Sequence, residues 1–383
     1  MVIDLKRKKL QVILLPELVP SASYCLGNIL RFLGHGSKVL SRYPHKFGFV
    51  ADEYVTEKNR SRLRQFIDHL LAAKYIFESW DVVHFNYGST LLDPKLSPDG
   101  KEKNLLWFVR KKTLALLQKI EIKILVNRGI PIFVHFQGDD AVQGDISLQI
   151  FQESIAQHVE SGYYSQASDI EKRERIRWFD SFASGIFAVS PDMMWFLPPR
   201  AKFIPYACIK LLELPPNYPT KYSKKIRISH APSHRGAKGT FFIEEAIKVL
   251  IAEKLDFEYV TLENLNHSQL LKEINNCDLF IDQLHHGWYG GVAVEAMALG
   301  KPVMAYIRET DLIHVPKNMV RDIPIINVTA DSITQALREY ILSADESLHE
   351  IGIKSRKYVE TWHNPKTVGS IMLSEYEKAC YPD

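Results

Sequence analysis

Short apolar runs alternate with longer amphipathic ones along almost the whole chain. LQVILLP (10–16), KVLSRYP (38–44), DVVHFNYG (81–88), PIFVHFQG (131–138) and GIFAVS (185–190) are short and rich in β-branched or aromatic residues, so each predicts a buried strand. Between them Leu26, Ile29, Leu30 and Leu33 recur at helical spacing before Gly-His-Gly at 34–36, and a helical stretch runs from about 103 to 128. The pattern then restarts. IRISHAPS (226–233), FEYVTLE (257–263), DLFIDQ (278–283), PVMAYI (302–307) and PIINV (324–328) predict strands, and 240–255, 267–276 and 332–342 predict helices. In 240–255 Ile243, Ala246, Ile247, Leu250 and Ile251 share one face. Strands that alternate with helices in this way form parallel βαβ units with helices on both sheet faces.

Composition divides this pattern. Between Pro198 and Lys225 the chain becomes rich in proline and basic residues and reads as a linker. At 383 residues the chain also exceeds one hydrophobic core. The expected organisation is two doubly wound domains, 1–205 and 206–362, followed by a last helix over about 363–383. Charged residues at 24% are ordinary, and a formal charge of +3 gives no argument for a nucleic-acid partner. Cys25, Cys208, Cys277 and Cys380 are scattered without a CxxC pair, so neither zinc binding nor a disulfide framework is expected. Reduced thiols fit a cytoplasmic protein. The start, MVIDLKRKKLQVILLPELV, mimics a signal peptide, but Pro16 and Glu17 break its apolar run, and it reads as a solvated basic start before a first strand. No stretch reaches the ~20 apolar residues of a membrane span.

Two loops that follow strands carry the candidate chemistry. GWYGGVAVEAMALGKPV (287–303) sets glycines before an apolar helix containing one acid, Glu295. Free backbone N–H groups where the helix begins, near Gly291 or Val292, would favour an anion such as phosphate, and Glu295, placed in the first turn, could accept from a ribose diol. Gly300 is expected to end the helix, and Pro302 prevents its continuation. A tight turn with a dipole-compensating glutamate accounts for the same residues. The second loop, SHAPSHRGAKGT (229–240), offers Ser233, Arg235 and Lys238 at the start of a helix. A guanidinium fork and an ammonium there suit a diphosphate, and a solvated basic loop is the alternative.

These two loops resemble the C-terminal domain of GT-B fold retaining glycosyltransferases, and glycosyltransferase family 4 in particular. GHGSKV (34–39), DVVHF (81–85), VHFQGDD (134–140), FAVSPDM (187–193) and FIPYAC (203–208) extend the resemblance more loosely through the first half. It implies an α/β fold of two Rossmann-like doubly wound domains facing a cleft, with the last helix, about 363–383, packing back on the first. It also implies transfer of a sugar from a nucleotide-diphosphate sugar to a hydroxyl acceptor, with retention, without a metal or cofactor, in glycan or glycoconjugate biosynthesis. In that setting Arg235 and Lys238 would hold the diphosphate, Glu295 the ribose hydroxyls, and Gly290, Gly291 and Val292 the phosphate or sugar. His135 would sit near the reaction centre, and Thr261–Asn264 would edge the base. The family has a second acid eight positions before Glu295, where this chain has Gly287, and Asp282, His285 or His286 could replace it. A nucleotide-sugar epimerase of the same fold and a non-catalytic nucleotide-sugar-binding subunit are the rival readings.

Other signals weigh less. Asp139 and Asp140 read as a cap for the following helix rather than a metal pair. His84 and His135 are equally compatible with core histidines, and the adjacent His285 and His286 lack the spacing of a metal-binding pair. Residues 101–128 place eight Lys or Arg among leucines and valines, which fits either a packed helix with a solvated basic face or peripheral contact with an anionic membrane.

Overall fold

A computed structural model of the chain describes residues 9–19, 23–45, 48–93, 105–208, 211, 213–220, 225–342 and 346–382, with the side chains of 105–108 and 346 left aside. The basic start at 1–8, residues 101–104 of the basic stretch, and 209–210, 212 and 221–224 of the expected linker lie outside the described residues.

The strands are β1 (Gln11–Leu15), β2 (Gly36–Ser41), β3 (Glu53–Tyr54), β4 (Val82–Asn86), β5 (Ile132–Phe136), β6 (Gly185–Ala188), β7 (Lys202–Phe203), β8 (Ile226–His230), β9 (Phe257–Thr261), β10 (Leu279–Ile281), β11 (Val303–Ala305) and β12 (Ile326–Asn327). Every strand expected from an apolar run is present, one to three residues shorter than the run. The flanking polar residues leave the ladder as the loops begin. β3 and β7, of two residues each, are too short to leave a pattern.

One sheet has the order β3-β2-β1-β4-β5-β6-β7 and the other β12-β11-β10-β8-β9. The pairings β1–β2, β1–β4, β2–β3 and β4–β5 are parallel, as are β8–β9, β8–β10, β10–β11 and β11–β12. The central strands β4, β5, β10 and β11 are buried on both faces, which explains their continuous apolar character. In β10, Leu279 and Ile281 join Ile228, Ile243, Leu250, Met304, Ile333 and Leu337 on one side of the sheet. Phe280 points the other way, into Val303, Trp288, Tyr289, Ala296 and Met297. Truncating such a fully buried residue, as in Ile243→Ala, typically costs about 2–5 kcal/mol.

The chain divides into two compact units, one of 1–140, 175–187 and 369–383, the other of 141–174 and 188–368. Compared with a boundary at 205/206, the second unit also takes 141–174 and 188–205. The reason is visible in its own contacts: the Arg308 guanidinium donates to the Glu153 carbonyl (2.6 Å) and the Trp195 indole to Asp311 (2.9 Å). Residues 369–383 lie in the first unit, where the Tyr376 hydroxyl contacts His84 Nδ1.

Candidate functional site

In a doubly wound sheet, ligands bind outside the carboxyl ends of the strands where the strand order reverses. In the second sheet that point lies between β8 and β10, the first and third strands of that sheet. The segments leaving them, 231–239 and 282–290, are the two loops singled out from the sequence.

The first loop is fixed by a buried histidine. His230, the last residue of β8, places Nδ1 at 2.9 Å from the Ile281 carbonyl and Nε2 at 2.9 Å from Thr240 Oγ1. Burial lowers its pKa to about 4, so the ring is neutral at physiological pH. His234 Nδ1 then accepts from the Ala237 amide (3.1 Å) and caps a single turn, Arg235–Lys238. Gly239, at φ +76°, ends this turn and starts the helix Thr240–Ala252. Arg235 and Lys238 therefore lie just before the long helix, where the sequence placed them, and the segment that carries them is itself a single helical turn. A Cβ at Gly239 would lie 2.9 Å from both Leu284 Cβ and His285 Nε2, so glycine is needed for space as well as for conformation.

The two cations have different surroundings. Arg235 is half exposed and donates to Glu244 (2.5 Å) and Glu263 (3.1 and 3.2 Å), carboxylates that raise its pKa. Lys238 is nearly buried, with Nζ 2.7 Å from Asp282 Oδ1 and 2.6 Å from Gln283 Oε1. Asp282 is 1% exposed, and its other oxygen accepts from the Gly290 amide at 2.6 Å. A carboxylate thus occupies the place between a lysine and a helix tip where an anion is most stable.

The helix of the second loop runs Gly291–Ala298, and Gly290 before it supplies no side-chain cap. A Cβ added at Gly291 would meet nothing within 4 Å, so the tip opens onto space. Gly300, at φ +76°, closes the other end. Its amide bonds the Met297 carbonyl (2.9 Å) and that of Lys301 the Ala296 carbonyl (3.0 Å). No acid lies in the first turn. Glu295 is the fifth helical residue, one turn deeper than expected, because the helix starts at Gly291. Its carboxylate is 2.7 Å from His267 Nε2, and both side chains are largely buried. Sequence reading gave no role to His267, although it opens the helix after β9, the strand beside β8.

Gly287 has a structural reason to be glycine. Its φ is +83°, and a Cβ there would lie 2.7–2.9 Å from the Arg308 side chain. Arg308 is held in place by Asp311 (2.8 Å) and lies 3.7 Å over the Phe151 ring. The space of the family's first glutamate is filled. Of the candidates to replace it, Asp282 is bonded to Lys238 and the helix tip. His285 is fully buried beside His158 and Glu153, and His286 is half buried.

The remaining candidates are spread more widely. Ser233 is exposed in the first loop, and Thr261, half buried, ends β9 in register with His230. His135 belongs to the first unit, within β5. It is 4% exposed, its Nε2 lacks a hydrogen bond, and burial lowers its pKa to about 3. Asp140 does not cap the next helix: its Oδ1 accepts from the Gln137 (2.9 Å) and Gly138 (2.8 Å) amides of its own loop. Gln143 stands at the N-cap instead.

No family profile and no curated protein sequence matches the chain. Solved structures do. Sucrose-phosphate synthase from Thermosynechococcus elongatus aligns at 13% identity over 97% of this chain and 99% of its own, with a TM-score of 0.58. The catalytic domain of starch synthase IV from Arabidopsis thaliana aligns at 10% identity over 97% and 100%, with a TM-score of 0.57. A glycosyltransferase from Rickettsia africae aligns at 14% identity over 98% and 100%, with a TM-score of 0.56. At such identities the likeness shows the architecture. The chain has the two-domain α/β GT-B fold, with one doubly wound sheet of seven strands and one of five.

Proposed function

We propose that the protein is a retaining glycosyltransferase that moves a sugar from a nucleotide-diphosphate sugar to a hydroxyl acceptor, in the synthesis of a glycan or glycoconjugate. The observation that carries this reading is the cluster of Lys238, Asp282 and the Gly290 amide at the point where the strand order reverses. The cluster already holds one carboxylate as an anion and opens at Gly291. A diphosphate entering there takes over the lysine and the free end of the helix, with Arg235 beside the mouth. Glu295, polarised by His267, accepts from the ribose hydroxyls, and Thr261 borders the base. The similarity to a starch synthase domain bound to ADP supports a nucleoside diphosphate as the leaving group.

In the proposed reaction the anomeric carbon–phosphate oxygen bond breaks as the acceptor oxygen bonds the same face of that carbon. The acceptor proton passes to the departing phosphate oxygen, so no protein nucleophile is required. Lys238, Arg235 and the helix tip stabilise the charge that grows on the diphosphate. His135 is assigned to the neighbourhood of the sugar, and no catalytic metal is invoked. The acceptor is assigned to a membrane-associated class. Val109, Leu116 and Ile120 are exposed on the helix Leu105–Asn127 among lysines, as expected of a surface that rests on anionic lipid.

A screen of nucleotide sugars with and without acceptors tests the reading. Transfer that is retained in EDTA and lost in Lys238→Ala supports it. Epimerised sugar nucleotide formed without acceptor would favour an epimerase, and binding without turnover would favour a non-catalytic subunit.

A further inference from the structure

Glu153, His158 and His285 form a second cluster in the same unit, and neither the donor reading nor the packing of the core requires it. Their ligand atoms lie within 4.8 Å of one another. Glu153 Oε1 is 2.7 Å from His158 Nε2 and 2.6 Å from His285 Nδ1. The two imidazoles are stacked, with centroids 3.7 Å apart and planes 13° off parallel. We propose that these three side chains bind a divalent transition-metal ion of the zinc type.

The argument rests on two independent observations. The first is the donor set. Two imidazoles and a carboxylate suit Zn²⁺, Co²⁺ or Ni²⁺, whereas Mg²⁺ and Ca²⁺ prefer oxygen ligands throughout. The second is the state of His285. Its side chain is 0% exposed, yet neither ring nitrogen has a hydrogen bond, because the nearby carboxylate oxygen is out of line with Nδ1. A buried polar group left in this way is costly, because it has given up its water without gaining a partner. An ion roughly 2.0–2.2 Å from each ligand would meet the Nδ1 lone pair directly.

The backbone behind the ligands is held in place. A Cβ at Gly236 would lie 2.4 Å from the His158 carbonyl oxygen, so that glycine permits the close approach of His158. Arg308 holds the Glu153 carbonyl at 2.6 Å. The Gln157 side-chain oxygen accepts from the Ser154 amide (3.0 Å) and steadies the turn between the two ligands. The Phe242 ring meets His158 (5.5 Å) and His285 (5.4 Å) edge-on and confines both rings. Glu153 and His158 are half exposed, which gives an ion a way in, and because an imidazole binds a metal in its ring plane, sharing one ion requires the His158 ring to turn out of the stack. The ion fastens residues 153–158 to the loop after β10. Its role is structural, apart from the diphosphate, so it is compatible with transfer that needs no catalytic metal.

The test uses untagged full-length protein stripped with EDTA. Co²⁺ is added and followed by its visible d–d absorption, and Zn²⁺ is added in a calorimeter, with Mg²⁺ as control. The proposal expects saturable Co²⁺ bands, Zn²⁺ heat, a Zn²⁺-dependent rise in melting temperature and no response to Mg²⁺. Glu153→Gln and His158→Gln change only half-exposed ligands, and each should weaken Zn²⁺ binding about tenfold or more. Absence of Co²⁺ bands and Zn²⁺ heat in the wild-type protein, or unchanged affinity in both variants, overturns it. Because the readout is ion binding, the result is independent of whether the enzyme transfers sugar.

Discussion

Asp282 does two things at once: it neutralises a nearly buried lysine and accepts from the amide at a helix tip. In the donor reading it holds Lys238 in the position that a phosphate oxygen needs. Lys238→Ala leaves this carboxylate buried without its cation, a loss of about 3–5 kcal/mol. Thermal denaturation should therefore show a clear drop alongside the loss of transfer. Glu295 makes a different prediction. Glu295→Gln keeps shape and burial but removes the charge that strengthens a bond to a ribose hydroxyl, a loss of about 1.5–3 kcal/mol. Calorimetry with nucleoside diphosphates should record affinity at least about tenfold lower, and equal affinity would remove the ribose assignment. Gly287→Glu restores the family's acid and should be harmful. At φ +83°, against the Arg308 side chain, it should cost on the order of 1–3 kcal/mol in chemical denaturation.

Two helices of the first unit carry the proposed membrane surface. On Leu105–Asn127, Val109, Leu116 and Ile120 are 51%, 61% and 43% exposed. The neighbouring helix Arg62–Ala72 exposes Leu63, Ile67 and Leu71. Arg110 joins the two, donating to the Arg62 carbonyl at 2.9 Å and lying 5.2 Å over the Phe66 ring. Apolar tips among lysines gain from both burial and the negative surface potential, about 1 kcal/mol per basic residue near the surface. The protein should sediment with vesicles that contain anionic lipid. Leu116→Glu combined with Ile120→Glu should abolish this while leaving nucleotide binding intact, and sedimentation unaffected by the double substitution would refute the surface. Among the described residues no helix is long and apolar enough to cross a bilayer.

At the scale of the molecule, buried histidines set the acid limit of stability. His135 has its pKa lowered from 6.5 to about 3 by burial, and His69, His230 and His363 are each lowered to about 4. Each contributes stability that is complete above the unfolded value near 6.5. That stability erodes as pH falls toward the folded value, because the unfolded chain takes up the proton first. Glu121, raised to about 7 by burial, acts in the opposite sense and loses stability as pH rises through that value. His135→Phe isolates one of these contributions. Its melting temperature should gain on the wild type between about pH 7 and about pH 5, and a constant difference would contradict the assignment.

The alternation of apolar runs with amphipathic stretches determined by itself that this is a parallel α/β protein with two doubly wound sheets. A strand buried on both faces must be apolar throughout, and a crossover helix must carry a stripe, so both leave a mark on the local sequence. The glycine-rich turn, the Arg235–Lys238 pair and the lone Glu295 could be found because loops after strands carry chemistry wherever strand order reverses. The helices Gln166–Asp180 and Glu346–Trp362 were less visible, since polar residues dominate their exposed faces, and Arg62–Ala72 because its leucines face outward while Asp68 and His69 are buried. Only the tertiary structure decided which side chains meet. Lys238 faces Asp282 across 44 positions, Glu295 faces His267 across 28, and His285 stacks on His158, a partner far away in sequence. Such pairings depend on which strands lie side by side and how their loops turn. Pairwise contact between distant residues has no periodicity, so no local pattern records it.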